Sequence, residues 1–379
     1  MSIYLDNAAT SHPKPDSVYA AVDYALRTIG VAPGRGSHRR GIEAARLVFQ
    51  AREALASLLG IPDSSRVVFT HSATEALNLA ISGILRPGDH AVTSSMEHNS
   101  VARPLHRASL SGVQVEKVPC DVEGFLDPRD LERALRPQTR LVVISHCSNV
   151  TGSIQPVEEI ARITRSRGIP LLLDAAQSAG VIPIDVAAWG VDLLAAPGHK
   201  GLLGPQGTGF LYIGESVDPA PLLVGGTGAS SSDLEQPADA PERFESGTMN
   251  TPGIAGLKAG AEFVLARGVE EVRRHEAALV GMLLEGLREI PGVTMHGPKE
   301  RPRGGVVSFT LEGIDPSEVG FRLDREFDIT VRVGLHCAPD AHRTIGTFPA
   351  GTVRVSPGIF NTAADMEQFI AALRAIAER

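Results

Sequence analysis

The feature of this sequence that most constrains its fold is a series of short apolar strands that alternate with helices. The strands are predicted at residues 66–70, 90–94, 113–118, 141–145, 171–174, 193–196 and 209–213. Most of them are continuous apolar runs, such as LVVIS and LLLD, and helical patterns separate them. Continuous apolar strands are typical of a sheet that is buried on both faces. The sequence therefore predicts a large α/β domain with a mostly parallel, seven-stranded sheet.

The order of the elements changes in the last third of the chain. There the pattern predicts helices at residues 253–266, 270–289, 316–326 and 364–377, and strands at residues 305–311, 329–333 and 352–355. This order is typical of a smaller α+β domain. We expect a large domain at residues 16–251 and a small domain that combines residues 1–15 with residues 252–379. The stretch 225–241, rich in glycine, serine, aspartate and proline, is predicted to be an exposed loop that could act as a lid.

Composition and charge narrow the class of protein. The chain has 379 residues, a formal net charge of −8 and no basic stripe, which argues against nucleic acid as a partner. Its three cysteines, Cys120, Cys147 and Cys337, form neither a disulfide framework nor a metal-binding spacing. The first residues lack the pattern of a secretory signal, and no apolar run is long enough to span a bilayer. We therefore expect a cytoplasmic protein without a membrane, metal or nucleic-acid partner.

Lys200 lies in a glycine-rich turn directly after an apolar strand, in the stretch 195–210, AAPGHKGLLGPQGTGF. One task for a lysine in such a place is to hold an aldehyde cofactor as a Schiff base, with the amine kept nucleophilic by partial burial. Taken alone, Lys200 is more simply explained as a solvated lysine of a loop. The residues at the ends of the other predicted strands are needed to choose between the two interpretations.

Polar side chains follow several of the predicted strands. Ligands of open α/β sheets bind at the carboxyl ends of the strands. Residues 71–75 begin a helix whose N-terminus could bind a phosphate, although Ser72 or Thr74 could equally be an ordinary helix cap. His98, after the next strand, could stack on a planar ring or be a hydrogen-bonded structural histidine. Residues 146–149 follow the strand LVVIS.

Asp174 is the most informative of these residues, because three leucines precede it in a buried strand. A buried carboxylate is costly unless it is paired. A protonated pyridine nitrogen is a suitable partner, and a salt bridge or a helix cap is the alternative. Lys200 follows about one helix–strand unit later, so both side chains can face the same edge of the sheet. Together, Asp174 and Lys200 favour the chemistry of pyridoxal phosphate (PLP).

The chain resembles the class V aminotransferase superfamily, specifically its cysteine desulfurase and selenocysteine lyase group. The resemblance rests on the order and spacing of YLDNAAT (4–10), ATEA (73–76), MEH (96–98), HCSNVTG (146–152), LDAAQ (173–177), GHK (198–200), ESGTMNT (245–251) and Arg354. It implies the type I fold of PLP-dependent transferases, PLP as cofactor and an amino acid as substrate. It also implies a homodimer with shared active sites.

The resemblance implies a role for each matching residue at the ring of the cofactor. Lys200 would form the Schiff base and carry the α-proton of the substrate. His98 would stack on the ring and act as an acid or base. Asp174 would pair with the pyridine nitrogen, and Gln177 would contact the phenolic oxygen.

Other matching residues are expected around the phosphate and the substrate. The phosphate would be bound by Ala73, Thr74, His199 and, from the neighbouring subunit, Thr248. Asn149 would contact the cofactor and, with Arg354, would bind the substrate carboxylate. The remaining pocket residues implied by the resemblance are Ala8 and His38.

The sequence departs from the family at the position of the nucleophile. Desulfurases carry a cysteine directly before the substrate-binding arginine, whereas this chain has Val353 there. Cys337, in GLHCAP, is the available thiol of that region and a tentative nucleophile; His336 or Arg332 could lower the pKa of its thiol. The alternative is an inert, partly buried cysteine. Pro197 is a second departure, because related sequences often have a phosphate-binding serine there.

Several functions are compatible with this site. The first is a cysteine desulfurase-like enzyme that acts on L-cysteine or a related sulfur or selenium amino acid, releases persulfide or sulfide with alanine, and could pass the sulfur to an acceptor protein. The second is a C–S or C–Se β-lyase without a cysteine nucleophile, and the third is a class V aminotransferase. A non-catalytic scaffold is disfavoured, because it would not need Lys200, Asp174, His98 and Arg354 together.

Overall fold

The fold is described from a computed structural model, which covers residues 2–34, 38–228 and 233–378. In chain order, its strands are β1 (Ile3–Tyr4), β2 (Val67–Thr70), β3 (His90–Ser94), β4 (Gln114–Val118), β5 (Thr139–Ser145), β6 (Leu171–Asp174), β7 (Leu193–Pro197), β8 (Gly209–Ile213), β9 (Val293–His296), β10 (Val307–Leu311), β11 (Ile329–Thr330), β12 (Arg332–Gly334) and β13 (Thr352–Val355). They form one larger sheet, one smaller sheet and a two-stranded pair.

The α-helices lie mostly between these strands. They are α1 (Asp16–Tyr24), α2 (Arg39–Leu59), α3 (Ala73–Ile84), α4 (Asn99–Leu110), α5 (Pro128–Ala134), α6 (Val157–Ser166), α7 (Val186–Trp189), α8 (Thr251–Arg267), α9 (Val269–Arg288), α10 (Pro316–Phe327), α11 (Pro339–Thr344) and α12 (Ala363–Ala377). A π-helical turn (Ala25–Ile29) extends α1, and a 3₁₀ turn (Ser64–Arg66) precedes β2. None of the described helices is both long and apolar enough to cross a bilayer.

The larger sheet has seven strands in the order β2-β8-β7-β6-β5-β3-β4. Strand β8 runs antiparallel to both of its neighbours, and the other pairs are parallel, which confirms the predicted α/β fold. Both faces are buried: Leu171 and Leu173 pack in the core on one side of the sheet, and Leu172 packs in the core on the other. Burial on alternating sides explains why the strand is apolar at every position.

The smaller sheet has the order β12-β13-β10-β9 and is antiparallel, while β1 pairs with β11 in parallel. Helices α9, α10 and α12 supply the core over this sheet, which includes Phe309, Val353 and Phe369. The single strand predicted at residues 329–333 is wrong. It divides at Val331, because Ile329–Thr330 pairs with β1 and Arg332–Gly334 pairs with β13.

Helix α8 packs against α1 and α2. Its side chains Ile254, Leu257 and Val264 belong to the core of the larger sheet. The sequence analysis assigned everything after residue 251 to the small domain. The packing instead attaches α8 to the large sheet, since its apolar face is buried there, and the division of the chain into domains stays a prediction.

The predicted lid, residues 225–241, forms neither helix nor strand at its described positions 225–228 and 233–241. Gln236 forms one hydrogen bond within the segment, in which its Oε1 accepts from the Gly225 N–H at 3.1 Å. It forms another beyond the segment, in which its Nε2 donates to Ser246 Oγ at 2.9 Å. Residues 229–232 lie outside the described part of the chain. A role as a lid stays a prediction.

Glu276 of α9 is a buried carboxyl group, 8% exposed, and it forms no ion pair or hydrogen bond with the residues that the structure describes. It lies against Gly305, where a Cβ atom would come within 2.5 Å of Glu276 Oε2. The glycine therefore makes room for the carboxyl group. Burial raises the pKa of Glu276 to about 8.

This raised pKa predicts how the stability of the Glu276→Gln variant, relative to the wild type, depends on pH. Above pH 4.5 the unfolded chain ionises Glu276, whereas the folded chain keeps it neutral up to about pH 8, so the side chain costs stability progressively across this window. Glutamine removes this cost. We expect Glu276→Gln to gain unfolding free energy relative to the wild type as the pH rises from 4.5 to 8, as measured by urea unfolding.

Glu285→Gln, at an exposed position of the same helix, is the matched control and should show no such trend. An equal difference between Glu276→Gln and the wild type at every pH would contradict the prediction.

Candidate active site

A cavity of about 240 Å³ lies at the carboxyl edge of the larger sheet. Its wall brings together most of the residues predicted from the sequence: Ala73, Thr74, His98, Asn149, Asp174, Gln177, His199 and Lys200. These side chains come from the ends of β3, β5, β6 and β7 and from the start of α3. They lie close together because the parallel strands end at the same edge of the sheet, as expected.

The N-terminus of α3 forms one end of the cavity. Ser72 caps the helix by accepting from the Glu75 N–H at 3.2 Å. The cap leaves the first helical N–H groups, at Ala73 and Thr74, without intrahelical acceptors. Gly209 lets β8 approach this end, because a Cβ there would come within 2.6 Å of the Ser72 carbonyl carbon. Capping and anion binding are therefore compatible at this helix end.

Asp174 also lines the cavity and is almost fully buried. Its Oδ1 accepts from the Ala176 N–H at 2.9 Å, so it does act as a local cap. It forms no ion pair with a side chain of the described residues. Burial raises the pKa of Asp174, and the charge of Lys200 opposes this shift. A cationic group that entered the cavity would therefore be stabilised here.

Lys200 lies on the cavity wall rather than in open solvent. Burial lowers the pKa of Lys200 to about 8, although the carboxylate of Asp174 opposes the shift. The turn around Lys200 needs small residues, because a Cβ at Gly198 would come within 2.2 Å of Thr208 Oγ1. A sizeable fraction of its amine is thus neutral and nucleophilic near neutral pH.

The two histidines of the cavity are neutral near pH 7. Burial, together with the charge of Lys200, lowers the pKa of His98 to about 4 and that of His199 to about 4. His98 Nδ1 accepts from the Ser100 N–H at 3.0 Å, which assigns the ring proton to Nε2. Nδ1 of His199 is buried without a partner among the described residues.

The side chains of the two residues predicted to bind a substrate carboxylate are engaged in contacts with other residues of the chain. Arg354 forms a buried ion pair with Asp6 at 2.7 Å and donates to the Asn149 carbonyl at 3.1 Å. The Asn149 side-chain amide donates to the His336 carbonyl at 2.7 Å. Arg354 lies behind the cavity wall, and its Nε has no partner in the described part of the chain. Carboxylate binding by these residues stays a prediction.

Cys337 is the exposed cysteine of the three and lies beside the site. Its carbonyl accepts from the Asn99 N–H at 2.8 Å, and a charge on its thiolate would raise the pKa of Lys200. The suggestion that His336 activates this thiol is wrong. Burial lowers the pKa of His336 to about 2, so its ring stays neutral and supplies no positive charge. Arg332 lies 3.7 Å from Asp6.

Val353, the residue directly before Arg354, does not line the cavity. It is fully buried in the small-sheet core with Phe309. Arg354 is the next residue of β13, and successive side chains of a strand point to opposite faces. A side chain at position 353 therefore packs in the core. Of the thiols near the site, Cys147 lines the cavity and is buried, which raises the pKa of its thiol to about 12, and Cys337 is exposed.

Besides Arg354 and Cys337, three predicted residues do not line this cavity within one chain. His38 is the N-cap of α2, with Nδ1 accepting from the Gly41 N–H, and Thr248 is exposed. Ala8 lines an adjoining cavity, where its carbonyl accepts from Gln177 Nε2 at 3.0 Å. The sequence analysis missed Ser100, Ser145 and Cys147, which do line the cavity. Ser145 ends β5, so the polar strand-end pattern could have found it.

The chain is similar over nearly its whole length to known proteins. The family Aminotransferase class-V matches residues 3–369. A protein of Methanothermobacter thermautotrophicus, named "Probable cysteine desulfurase", is 36% identical over 96% of this chain and 92% of its own length. An apo structure of a cysteine desulfurase from Thermococcus onnurineus NA1 is 35% identical, covers 100% of this chain and 95% of its own, and has a TM-score of 0.94.

A cysteine desulfurase from Escherichia coli is more distant in sequence but has the same fold. It is 28% identical, covers 100% of this chain and 95% of its own, and has a TM-score of 0.89. The chain belongs to the class V aminotransferase family. Within that family, it is similar over its whole length to proteins named cysteine desulfurase.

The buried ion pair predicts that Asp6→Asn is strongly destabilising. Asparagine would leave the guanidinium of Arg354 buried without its counter-charge, which typically costs about 3–5 kcal/mol. Urea unfolding of the variant measures this loss. Asp130→Asn, in the exposed pair with Arg133, is the matched control and should cost less than about 1 kcal/mol. Equal losses in the two variants would contradict the prediction.

Proposed function

We propose that the chain is a PLP-dependent enzyme of the cysteine desulfurase type. The observation that carries the proposal is the single cavity that joins the amine of Lys200, the carboxyl group of Asp174 and the N-terminus of α3. These three groups match the aldehyde, the pyridine nitrogen and the phosphate of PLP. When bound, PLP would supply an electron sink that makes the α-hydrogen of an amino acid acidic.

The residues of the cavity fit this cofactor in charge as well as in position. Asp174 lacks a cationic partner and would gain one from a protonated pyridine nitrogen. Ala73, Thr74 and His199 would hold the phosphate, and Gln177 has a free amide proton for the phenolic oxygen. His98, neutral and buried, would stack on the ring. Lys200 would accept and return the α-proton of the substrate at its Nζ.

The proposed substrate is L-cysteine or a related sulfur or selenium amino acid. The names of the relatives support this choice, and Cys337 supplies an exposed thiol beside the site. Cys337 Sγ would take the substrate sulfur as a persulfide, and alanine would be released. Because Cys337 is exposed, the sulfur could then pass to an acceptor protein. Asn149 and Arg354 would bind the substrate carboxylate, with Ala8 close by.

We further propose a cytoplasmic homodimer. Two residues expected at the site, Thr248 and His38, lie outside the cavity of a single chain, as they would if a second copy completed it. Large apolar side chains that support such an interface are exposed on α1, α2 and the segment after β8: Tyr19, Tyr24, Phe49, Leu223 and Val224.

A β-lyase without a cysteine nucleophile is the second candidate. The observation that favours it is electrostatic: burial lowers the pKa of His336 so that its ring is neutral, and Arg332 lies beside Asp6, so neither of the two residues suggested from the sequence is free to activate the Cys337 thiol. In that reaction the sulfur leaves as sulfide, and pyruvate forms instead of alanine.

The Lys200→Ala variant tests the cofactor. We expect the purified wild-type protein to show a visible absorbance band, and we expect Lys200→Ala to lose it, because the variant has no amine to bond the aldehyde. Lys299→Ala, at an exposed lysine, is the control and should keep the band. A wild-type protein that is colourless and takes up no added PLP would exclude the proposed cofactor.

The Cys337→Ser variant separates the two reactions. With L-cysteine as substrate and a thiol reductant present, we expect the wild type to form alanine and sulfide. In Cys337→Ser, we expect the rates of alanine and sulfide formation to fall at least 100-fold. Cys120→Ser is the control, since burial raises the pKa of the Cys120 thiol to about 11 and keeps it inert. Unchanged sulfide release by Cys337→Ser, with pyruvate as product, would favour the β-lyase.

A further inference from the structure

We propose that Glu97 is a positioning residue that holds the ends of β3 and β5 in place and so fixes His98 and Asp174 around the cofactor ring. The inference rests on the proposed function, because it concerns the same cavity. Glu97 does not line the cavity; it lies behind the wall and is 3% exposed.

The carboxyl group of Glu97 bridges the last residues of the two strands. Its Oε1 accepts from Ser94 Oγ at 2.6 Å, at the end of β3. Its Oε2 accepts from Ser145 Oγ at 2.8 Å and from the Ser145 N–H at 3.0 Å, at the end of β5. One side chain thus joins the two strand ends by accepting from three donor groups, and the Ser145 N–H is shared between its two oxygens.

These contacts lie where the two strands stop pairing. The register of β3 with β5 ends at Thr93 and Val143. Beyond it, Ser94 pairs with Val118 of β4, and Ser145 pairs with Asp174 of β6. The Ser145 N–H therefore needs another acceptor, because a buried backbone donor without a partner is costly. Glu97 provides that acceptor where the sheet opens toward the cavity.

Both ends of the bridge connect directly to ring-binding residues. His98 follows Glu97 in the chain and begins α4. On the other side, Asp174 is the register partner of Ser145, and its carbonyl accepts from the His146 N–H at 2.9 Å. A shift of the Glu97 carboxyl group would therefore move both His98 and Asp174. Contacts of this indirect kind change the affinity of metal sites by about 10–100-fold, and we expect an effect of the same order on the binding of the cofactor here.

The bridge does not depend on a negative charge. Glu97 forms no ion pair with any side chain of the described residues, and the titratable groups that face it are Asp174 and Cys120. Burial raises the pKa of Glu97 to about 7, and the charge of Asp174 adds to the shift. A serine hydroxyl can donate or accept, so a glutamine could fill the same contacts with its carbonyl oxygen and its amide.

The experiment compares Glu97→Ala with Glu97→Gln. PLP binding is titrated by visible absorbance, and the visible circular dichroism per bound PLP reports how firmly the ring is held. We expect Glu97→Ala to bind PLP at least tenfold more weakly and to lose much of this dichroism. Glu97→Gln should stay within about threefold of the wild-type affinity and keep the dichroism. Glu116→Ala, on the edge strand β4, is the control and should match the wild type in both measurements.

Three results would overturn the inference. The first is Glu97→Ala with wild-type affinity and dichroism, and the second is Glu97→Gln with losses as large as those of Glu97→Ala. If Glu97→Ala does not fold, Glu97→Asp replaces it, because its shorter side chain cannot reach both strand ends; wild-type behaviour of Glu97→Asp is the third. A wild-type protein that binds no PLP would instead overturn the proposed function itself.

Discussion

The structure depends on a sheet that is buried on both faces. Its central strands β6 and β7 are apolar up to their last residue, because a polar side chain there would need a partner in the apolar core. In this part of the sheet, polar groups therefore lie at the edge where the parallel strands end. Asp174, Lys200 and Ser145 all lie there, although their strands are separated in the chain. The same burial that stabilises the fold makes the amine of Lys200 nucleophilic and leaves Asp174 ready for a cation.

For this reason, most of the residues that line the cavity were predictable from the sequence. Apolar runs mark the strands, and the residue after each run marks the edge, so Asp174 and His98 could be placed without coordinates. The contacts of Asp6 with Arg354 and of Asn149 with His336 could not, because they join residues 348 and 187 positions apart. The division of the strand at Val331 also depends on tertiary pairing. The inward direction of Val353, by contrast, follows from strand alternation and could have been inferred.

The two ends of the site are built on different sheets. The larger sheet supplies most residues of the cavity. The smaller sheet carries Arg354 on β13, and Cys337 lies in the segment between β12 and β13. Hydrogen bonds from Asn149 to the His336 carbonyl and from Asn99 to the Cys337 carbonyl join the two parts. The position of the thiol relative to Lys200 therefore depends on these joining contacts as much as on the local sequence.

The backbone at Cys337 bears on whether this thiol has a function. His336 and Cys337 are consecutive non-glycine residues with φ of +48° and +56°, in the left-handed region. Each such residue costs about 1–2 kcal/mol and persists only where surrounding contacts hold it. Here the contacts from Asn149 and Asn99 hold the two carbonyls, and the hydrogen bond between His336 and Thr352 holds the ring. Strained residues of this kind are concentrated at functional sites, so the backbone at Cys337 supports the proposed persulfide reaction.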